Sequence, residues 1–185
     1  MVDTQVASDD LRAVLDFWRS AGPKRWFKKD PAFDQAFRER FLDLHLKAAR
    51  RELEAWLTEA DGALALLILL DQFPRNAFRG TGHMFATDSL ACFYSRQIVD
   101  AGLDVQMEPA LRQFCYLPLE HSERLEDQNL SVAFNRGIDA DTLHYAELHR
   151  EIIARFGRFP HRNQLLGRES SSEELAFLQD GGFAG

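Results

Sequence analysis

The sequence predicts an all-α protein. Apolar residues recur every three or four positions along most of the chain, and helix-capping residues or Pro and Gly stand where these repeats begin and end. No segment alternates polar and apolar residues in the way that a strand does. Since the helical segments are joined by short connections, we expect an antiparallel bundle or solenoid of about eight or nine helices.

The size and charge of the chain limit what the protein does. Its 185 residues have the size of one domain, so we expect a single all-helical domain over residues 1–185. A net charge of −7 argues against nucleic acid and anionic membranes as partners. The first residues lack a signal peptide, and the two isolated cysteines, Cys92 and Cys115, are typical of a reducing compartment. These features favour a cytoplasmic protein.

Capping residues predict where several helices begin and end. Ser8 is expected to cap the first helix, and Asp30 the second, with proline next at the first helical position. Asp139 or Asp141 begins a later helix that Gly157 ends. A serine and a glutamate with capping-box spacing, Ser171 and Glu174, begin the last one.

Two prolines are expected to separate helices in the middle of the chain. Residues 63–72 are apolar on nearly every face, which predicts a buried helix that ends at Phe73-Pro74. Pro118 is expected to begin a charged helix over residues 119–135. On that helix Glu120, Glu123 and Asp127 would share one face, at positions i, i+3 and i+7.

Two segments, which we call the first turn (residues 71–80) and the second turn (residues 156–168), share a pattern. Each leaves a helix through a Phe-Pro step and then presents Arg and Asn. No acidic residue lies between Asp71 and Asp88 or between Glu151 and Glu169. A basic segment in an acidic protein is typical of a site for an anion, because guanidinium donors fit phosphate or carboxylate. The predicted anion-binding residues are Arg75, Asn76, Arg79, Gln128, Arg158, Arg162, Asn163 and Arg168.

Proton transfer at this site would need a group that titrates near neutral pH. His121 or His161 would take that catalytic role, and Glu123 or Asp127 would orient the imidazole. An alternative is an internal network, in which the arginines bind the acidic residues of the segment 120–128 and no ligand is needed.

Other chemistry is not predicted. The six histidines form no HExxH motif and no ExxH pair, so we predict no metal site. The phosphate-binding patterns GxxxxGK[ST] and GxGxxG and the nucleophile pattern GxSxG are also absent from the sequence, and we predict no cofactor.

Longer motifs resemble the bacterial family catalogued as domain of unknown function 924. They occupy residues 14–18 (VLDFW), 70–76 (LDQFPRN), 79–81 (RGT), 85–88 (FATD), 117–123 (LPLEHSE), 156–163 (FGRFPHRN) and 166–168 (LGR). The resemblance implies an all-helical, tetratricopeptide-like fold and no particular activity. Ser171, where the family usually has Thr, and residues 181–185 depart from the family pattern.

The tetratricopeptide-like fold also allows a different function. Helical proteins of this kind often hold a peptide in a concave groove, so an adaptor for a protein partner is the alternative to the small-anion site. A third hypothesis is that the motifs only stabilise the fold and bind no ligand or partner.

Overall fold

The computed structural model describes residues 4–183, with side chains from residue 8 onwards. This part of the chain contains helices and no strand, which confirms the all-α prediction. Residues 4–183 contain nine helices when α4, the π-helical segment after it and α5 are counted as one continuous helix. The separately labelled α-helical segments are α1 (Thr4–Ala21), α2 (Pro23–Trp26), α3 (Pro31–Ala49), α4 (Ala60–Leu67), α5 (Phe73–Ala77), α6 (Asp88–Asp100), α7 (Gln113–Glu120), α8 (Leu125–Asn135), α9 (Ala140–Phe156) and α10 (Ser172–Gln179). None of these helices combines the length and the apolar character that a membrane crossing needs.

Apolar residues form two clusters of very different size. The main core joins α1, α3, α4, α6 and α7, and aromatic rings such as Trp18 and Phe114, 5.2 Å apart between centroids, fill its centre. The small core contains the three buried residues Ile152, Ile153 and Phe159 of α9 and the second turn, with partly buried side chains packed against it. The two turns therefore lie on two separate cores.

Most of the predicted caps are present. The carboxylate of Asp30 accepts the N–H groups of the first turn of α3, and both Asp139 and Ser171 form capping boxes. Gly157 ends α9 in the left-handed conformation, with φ of 69°. The prediction for Ser8 is wrong, because α1 begins at Thr4 and places Ser8 inside the helix.

The helix of the main core does not end at Phe73-Pro74. After α4 the chain widens into a π-helical segment, Ile68–Gln72, and continues directly into α5. The N–H of Phe73 reaches back five residues to the carbonyl of Ile68. This wider turn allows Pro74, which has no N–H to donate and whose ring would clash in a regular α-helix, to stand near the start of α5.

The π segment leaves backbone carbonyls that need donors from elsewhere. The carbonyl of Ile68 accepts the N–H of Phe73, and each of the other four takes a side-chain donor, so no buried acceptor is lost. The four bonds are His45 Nδ1 to Leu69 O at 2.8 Å, Thr87 Oγ1 to Leu70 O at 2.5 Å, Arg75 Nη1 to Asp71 O at 2.9 Å, and Asn76 Nδ2 to Gln72 O at 2.8 Å.

Pro118 does not separate two helices either. It lies inside α7, and the Ser95 hydroxyl donates to the carbonyl of Cys115, 2.5 Å away, in the turn before the proline. Helix α8 begins later, at Leu125. The expected shared helix face is therefore wrong: Glu120 ends α7, Glu123 lies in the connection, and Asp127 is in the first turn of α8.

Candidate functional site

The two turns meet at a single carboxylate, Asp88, the first residue of α6. Arg75 of the first turn binds it with both terminal nitrogens, Nη1 to Oδ1 at 2.8 Å and Nη2 to Oδ2 at 3.0 Å. Arg162 of the second turn binds Oδ2 through Nη1 at 3.1 Å. The position of Asp88 in the first turn of a helix also favours its negative charge. Arginines 87 positions apart in the sequence thus share one acidic partner.

A second buried carboxylate, Asp71, orients His121. Asp71 lies on the π segment and its Oδ1 is 2.7 Å from His121 Nδ1, while the Gln72 amide donates to Oδ2 at 2.7 Å. Burial opposes ionisation of Asp71, but the charges of Arg75 and His121 hold its pKa below the usual range. Burial and the nearby charge of Arg75 lower the pKa of His121.

This orientation determines which nitrogen of His121 is available. Because Nδ1 faces Asp71, the opposite nitrogen, Nε2, has no hydrogen-bond partner among residues 8–183, and it is not fully buried. The side chain is 14% exposed. A neutral imidazole whose Nδ1–H is held by a carboxylate presents Nε2 as a proton acceptor.

Behind His121 lies a second pair of a carboxyl group and an imidazole. His149 Nδ1 donates to the Tyr145 carbonyl at 2.8 Å and lies 3.2 Å from Glu120 Oε1. Burial raises the pKa of Glu120 to about 8 and lowers the pKa of His149 to about 3. At neutral pH both groups are therefore mostly uncharged, so the contact is not an ion pair. The rings of His121 and His149 are 6.4 Å apart.

The second turn contributes His161 and Arg162. Burial, together with the charge of Arg162, lowers the pKa of His161 to about 4. The Arg162 guanidinium lies 4.6 Å from the ring centroid of Phe85 and 4.3 Å from that of Phe159. Burial lowers the pKa of Arg162 to about 10, so the side chain remains a cation at neutral pH although it is only 5% exposed.

Polar atoms without partners concentrate in this region. Five fully buried side-chain nitrogen or oxygen atoms make no hydrogen bond within the described part of the chain. Three of them are Gln128 Oε1, His161 Nδ1 and Arg162 Nε, all in predicted site residues. Since buried polar groups in native proteins are nearly always paired, this concentration calls for an explanation. The Gln128 amide nitrogen is paired, to the carbonyls of Glu120 and Ser122 at 2.6 Å each.

The other predicted residues of the first turn lie outside this group. Arg79 forms a bidentate pair with Asp34 of α3, at 2.8 and 3.1 Å, and also donates to the Asn76 side chain at 3.2 Å. Asn76 itself is engaged by the π segment. Arg79 and Asn76 therefore attach the first turn to its own surroundings.

The remaining predicted residues of the second turn bind one another and neighbouring acids. Arg168 forms a bidentate pair with Glu123, at 2.7 and 2.9 Å, and donates to Asn163 at 2.9 Å. Asn163 in turn donates to Glu174 at 3.3 Å. Arg158 binds Glu174 at 2.6 and 2.8 Å, and these hydrogen bonds lower the pKa of Glu174 to about 2. This set fixes the conformation of the turn.

The expected orienting partner of His121 is wrong. Glu123 accepts the backbone N–H of Phe159 at 2.8 Å, in addition to binding Arg168. Asp127 pairs with Arg96 and accepts the Ser122 hydroxyl at 2.6 Å. Neither carboxylate orients His121, a role that Asp71 fills. A signal was available in the sequence, because a single acidic residue in the apolar run of residues 63–72 needs a buried partner.

The structure gives no support to a metal site. Within residues 4–183, no group of three or more His, Cys, Asp and Glu side chains has the geometry to hold an ion. Two shallow surface depressions, one along α3 and one between α8 and α9, include none of the residues around Asp71, Asp88 and His121.

Comparisons with known proteins agree on the fold and assign no activity. A family model described as a bacterial protein of unknown function, DUF924, matches residues 14–182. The solved structure of a protein of unknown function from Agrobacterium tumefaciens is 49% identical, with a TM-score of 0.90, and the match covers 96% of this chain and 99% of that one. A comparison with curated proteins gave no match.

Proposed function

This chain belongs to the DUF924 family of bacterial proteins of unknown function, and we propose that it binds a small carboxylate or phosphate at Arg162 and passes a proton to it or from it at His121. One observation carries the proposal: the adjacent residues His161 and Arg162 each have a buried nitrogen without a partner among the described residues. A ligand oxygen beside them would complete the hydrogen bonding of the guanidinium.

Arg162 differs from the other four predicted arginines. Arg79, Arg158 and Arg168 each form a bidentate pair with one acid, and Arg75 binds Asp88 in the same way. Arg162 makes one hydrogen bond, through Nη1, and its buried Nε donor has no acceptor in residues 8–183. The Nε–Nη2 edge of a guanidinium fits the two oxygens of one carboxylate or phosphate. The internal network therefore accounts for the other four arginines and leaves Arg162 for a ligand.

Charge balance couples anion binding to a proton. The two acids Asp71 and Asp88 and the two arginines Arg75 and Arg162 sum to zero when His121 is neutral, which its lowered pKa favours. Binding of one anion beside these four residues leaves them with one uncompensated negative charge in the protein interior. Protonation of His121 at Nε2 restores neutrality, and Asp71 stabilises the resulting imidazolium through Nδ1–H. We therefore expect the anion and a proton to bind together.

Ligand-induced stabilisation tests the anion site. Acetate, benzoate and inorganic phosphate are added to the wild-type protein while thermal unfolding is followed. An anion present at a hundred times its Kd stabilises the fold by about 2.7 kcal/mol, which corresponds to an increase in Tm of roughly 5–10 °C for a chain of this size. Arg162→Met should abolish the shift. Arg158→Met is the matched control, since its guanidinium is bound to Glu174, and it should retain the shift. The proposal is wrong if no anion stabilises the wild type, or if Arg162→Met responds as the wild type does.

Proton uptake tests the role of His121. The heat of binding is measured at pH 7 in two buffers of different ionisation enthalpy, and the difference gives the number of protons taken up. We expect a value approaching one for the wild type and near zero for His121→Asn, which has no titratable ring. If His121→Asn takes up as many protons as the wild type, another group is the acceptor.

The adaptor for a peptide or protein partner stays a prediction, since none of the contacts described above favours it.

A further inference from the structure

The side chain of Phe183 covers part of the site. Its ring centroid lies 4.5 Å from that of His149 and 5.4 Å from that of His161, in both cases with the rings steeply inclined. Phe159, beneath these two imidazoles, is 5.4 Å from His149 and 5.5 Å from His161. Phe183 thus lies over two of the three histidines of the region, within the distances at which aromatic pairs attract.

Two glycines give the segment Gly181–Phe183 the shape that places this ring. Gly181 has φ of 84°, a left-handed conformation that side chains disfavour. At Gly182 a Cβ would lie 2.5 Å from the carbonyl oxygen of Phe177, so only glycine fits there. The N–H of Gly182 donates to this same carbonyl at 2.9 Å. The segment is therefore folded back specifically onto α10.

The contacts that hold Phe183 are weak compared with those that hold α10. The phenyl ring has no polar atom, is partly exposed, and rests on the small core. Helix α10 is attached independently, through the ion pair of Glu174 with Arg158 and the contact of Phe177 with Phe156, 5.1 Å between centroids. The ring of Phe183 can therefore leave its place without breaking an ion pair or releasing the helix.

We propose that the Gly181–Phe183 segment closes the anion site, and that the ligand is an aromatic carboxylate whose ring replaces that of Phe183. This inference rests on the function proposed above. The place that Phe183 fills accepts a planar ring between His149 and His161. Arg162, the residue after His161, binds the carboxylate of the same ligand. Phe183 then competes with the ligand. The apparent affinity for the ligand equals the affinity of the open form multiplied by the fraction of time that the segment is open.

The closure itself is tested without a ligand. Diethyl pyrocarbonate labels accessible neutral imidazoles, and mass spectrometry measures the rate at each histidine. Two variants open the segment in different ways: Phe183→Ala removes the ring, and Gly182→Ala keeps the ring but adds a Cβ that clashes with Phe177 O. In both variants we expect labelling of His149 and His161 to rise at least about fivefold. His144, which is exposed on α9, is the internal control and should not change.

The ligand class is tested by measuring the affinities of benzoate and acetate for the wild type, Phe183→Ala and Gly182→Ala. In Phe183→Ala we expect benzoate to bind about tenfold more tightly than in the wild type, since its ring fills the vacated place. Acetate has no ring and should gain less. Equal gains for the two anions would overturn the aromatic ligand.

The labelling result separates this inference from the proposed function. Unchanged labelling in both variants would overturn the closure, even if anions bind at Arg162. Increased labelling without binding of benzoate or acetate to any of the three proteins would overturn the anion site and the ligand class together.

Discussion

The first and second turns carry nearly the same residues and use them differently. In the first turn, Phe73, Pro74, Arg75 and Asn76 continue a helix on the main core. In the second turn the order is Phe-Pro-His-Arg-Asn, so the insertion of His161 moves the arginine one position further from the proline. The second turn also leaves its helix fully, at the left-handed Gly157, and continues as a 3-10 segment on the small core.

This structural difference between the turns determines whether their polar side chains find partners within the protein. In the first turn, Arg75 and Asn76 satisfy carbonyls of the π segment, and the turn has no unpaired buried polar side-chain atom. In the second turn, ion pairs with Glu123 and Glu174 hold the backbone, while His161 and Arg162 retain unpaired nitrogens. The polar groups of the motif are thus fully bonded within the fold in the first turn, whereas two buried nitrogens stay unpaired in the second.

Removal of the carboxylate that joins the two turns is expected to have the largest effect. Asp88→Ala leaves Arg162 as a buried cation without its acid, and Arg75 keeps only Asp71. Loss of one partner from a buried pair costs about 3–5 kcal/mol of the free energy of unfolding. Urea denaturation measures this loss. Glu173→Ala, which removes an exposed partner of Arg155, is the control and should cost about 0–1 kcal/mol. A similar small cost for Asp88→Ala would show that the turns do not depend on their shared acid.

The carbonyls of the π segment give the next largest effect. Thr87→Val has almost the same shape but leaves the buried carbonyl of Leu70 without its donor. We expect a loss of about 1–3 kcal/mol of the free energy of unfolding, from thermal or urea denaturation. Thr87→Ser keeps the hydroxyl and should recover most of that loss. If valine and serine behave alike, the hydrogen bond does not hold the first turn.

The sequence predicted these features to different degrees. Asp30, Asp139 and Ser171 were identified as caps because a cap is a local feature, with donor and acceptor within three residues. Helix ends at Pro74 and Pro118 were predicted wrongly, because carbonyls in the turn before each proline accept hydroxyl donors from distant parts of the chain. Thr87 and Ser95 have no sequence relation to the carbonyls that they satisfy.

The site was predicted as a group of residue types, but not as a set of pairs. Arg75 and Arg162 were identified from the repeated motif, and both reach Asp88, which the sequence offered only as the last residue of the motif at 85–88. The pairing of Asp71 with His121 joins residues 50 positions apart, and no spacing rule connects them. The arginines could be identified because they follow a proline in a short local motif. Their acidic partners are distant in the sequence and are brought close only by the packing of the whole bundle.

Glu120, next to the second turn, is expected to make stability depend on pH. Its pKa is about 8 in the folded protein against a usual value of 4.5, so the folded state binds the extra proton between these values. That contribution is complete below pH 4.5 and is lost as the pH rises through 8. Below pH 6.5 the lowered pKa values of His149 and His161 act in the opposite direction, because the unfolded chain then binds the protons.

The buried histidines still contribute between pH 6.5 and 8, so the contribution of Glu120 is isolated by comparing the wild type with Glu120→Gln. This variant keeps a neutral side chain of the same shape beside His149, Asp71 and Ser131. From pH 6.5 to 8 we expect the wild type to lose roughly 1–2 kcal/mol of the free energy of unfolding relative to Glu120→Gln, measured by urea denaturation at each pH. Parallel profiles for the two proteins would mean that Glu120 is ionised in the fold.

The substitution Arg162→Met is expected to have the smallest effect on stability, and it tests the difference between the two turns most directly. Arg162→Met replaces a buried cation by an apolar side chain of similar length between Phe85 and Phe159, and Asp88 keeps its bidentate partner Arg75. Removal of one partner from a buried pair is costly when the other charge is left alone, but Asp88 is not left alone here. Protonation of His121 can also compensate for the lost positive charge, so we expect a change below about 1 kcal/mol in the free energy of unfolding.

Arg168→Met is the comparison within the same turn. All three guanidinium nitrogens of Arg168 are bonded, to Asn163, Glu123 and the Phe159 carbonyl, and its loss leaves these acceptors unpaired. We expect a cost of about 1–3 kcal/mol. An arginine that the fold hardly needs would support the ligand site proposed above. An equal cost for the two variants would place Arg162 in the structural network, and the second turn would then serve the fold alone, as the first does.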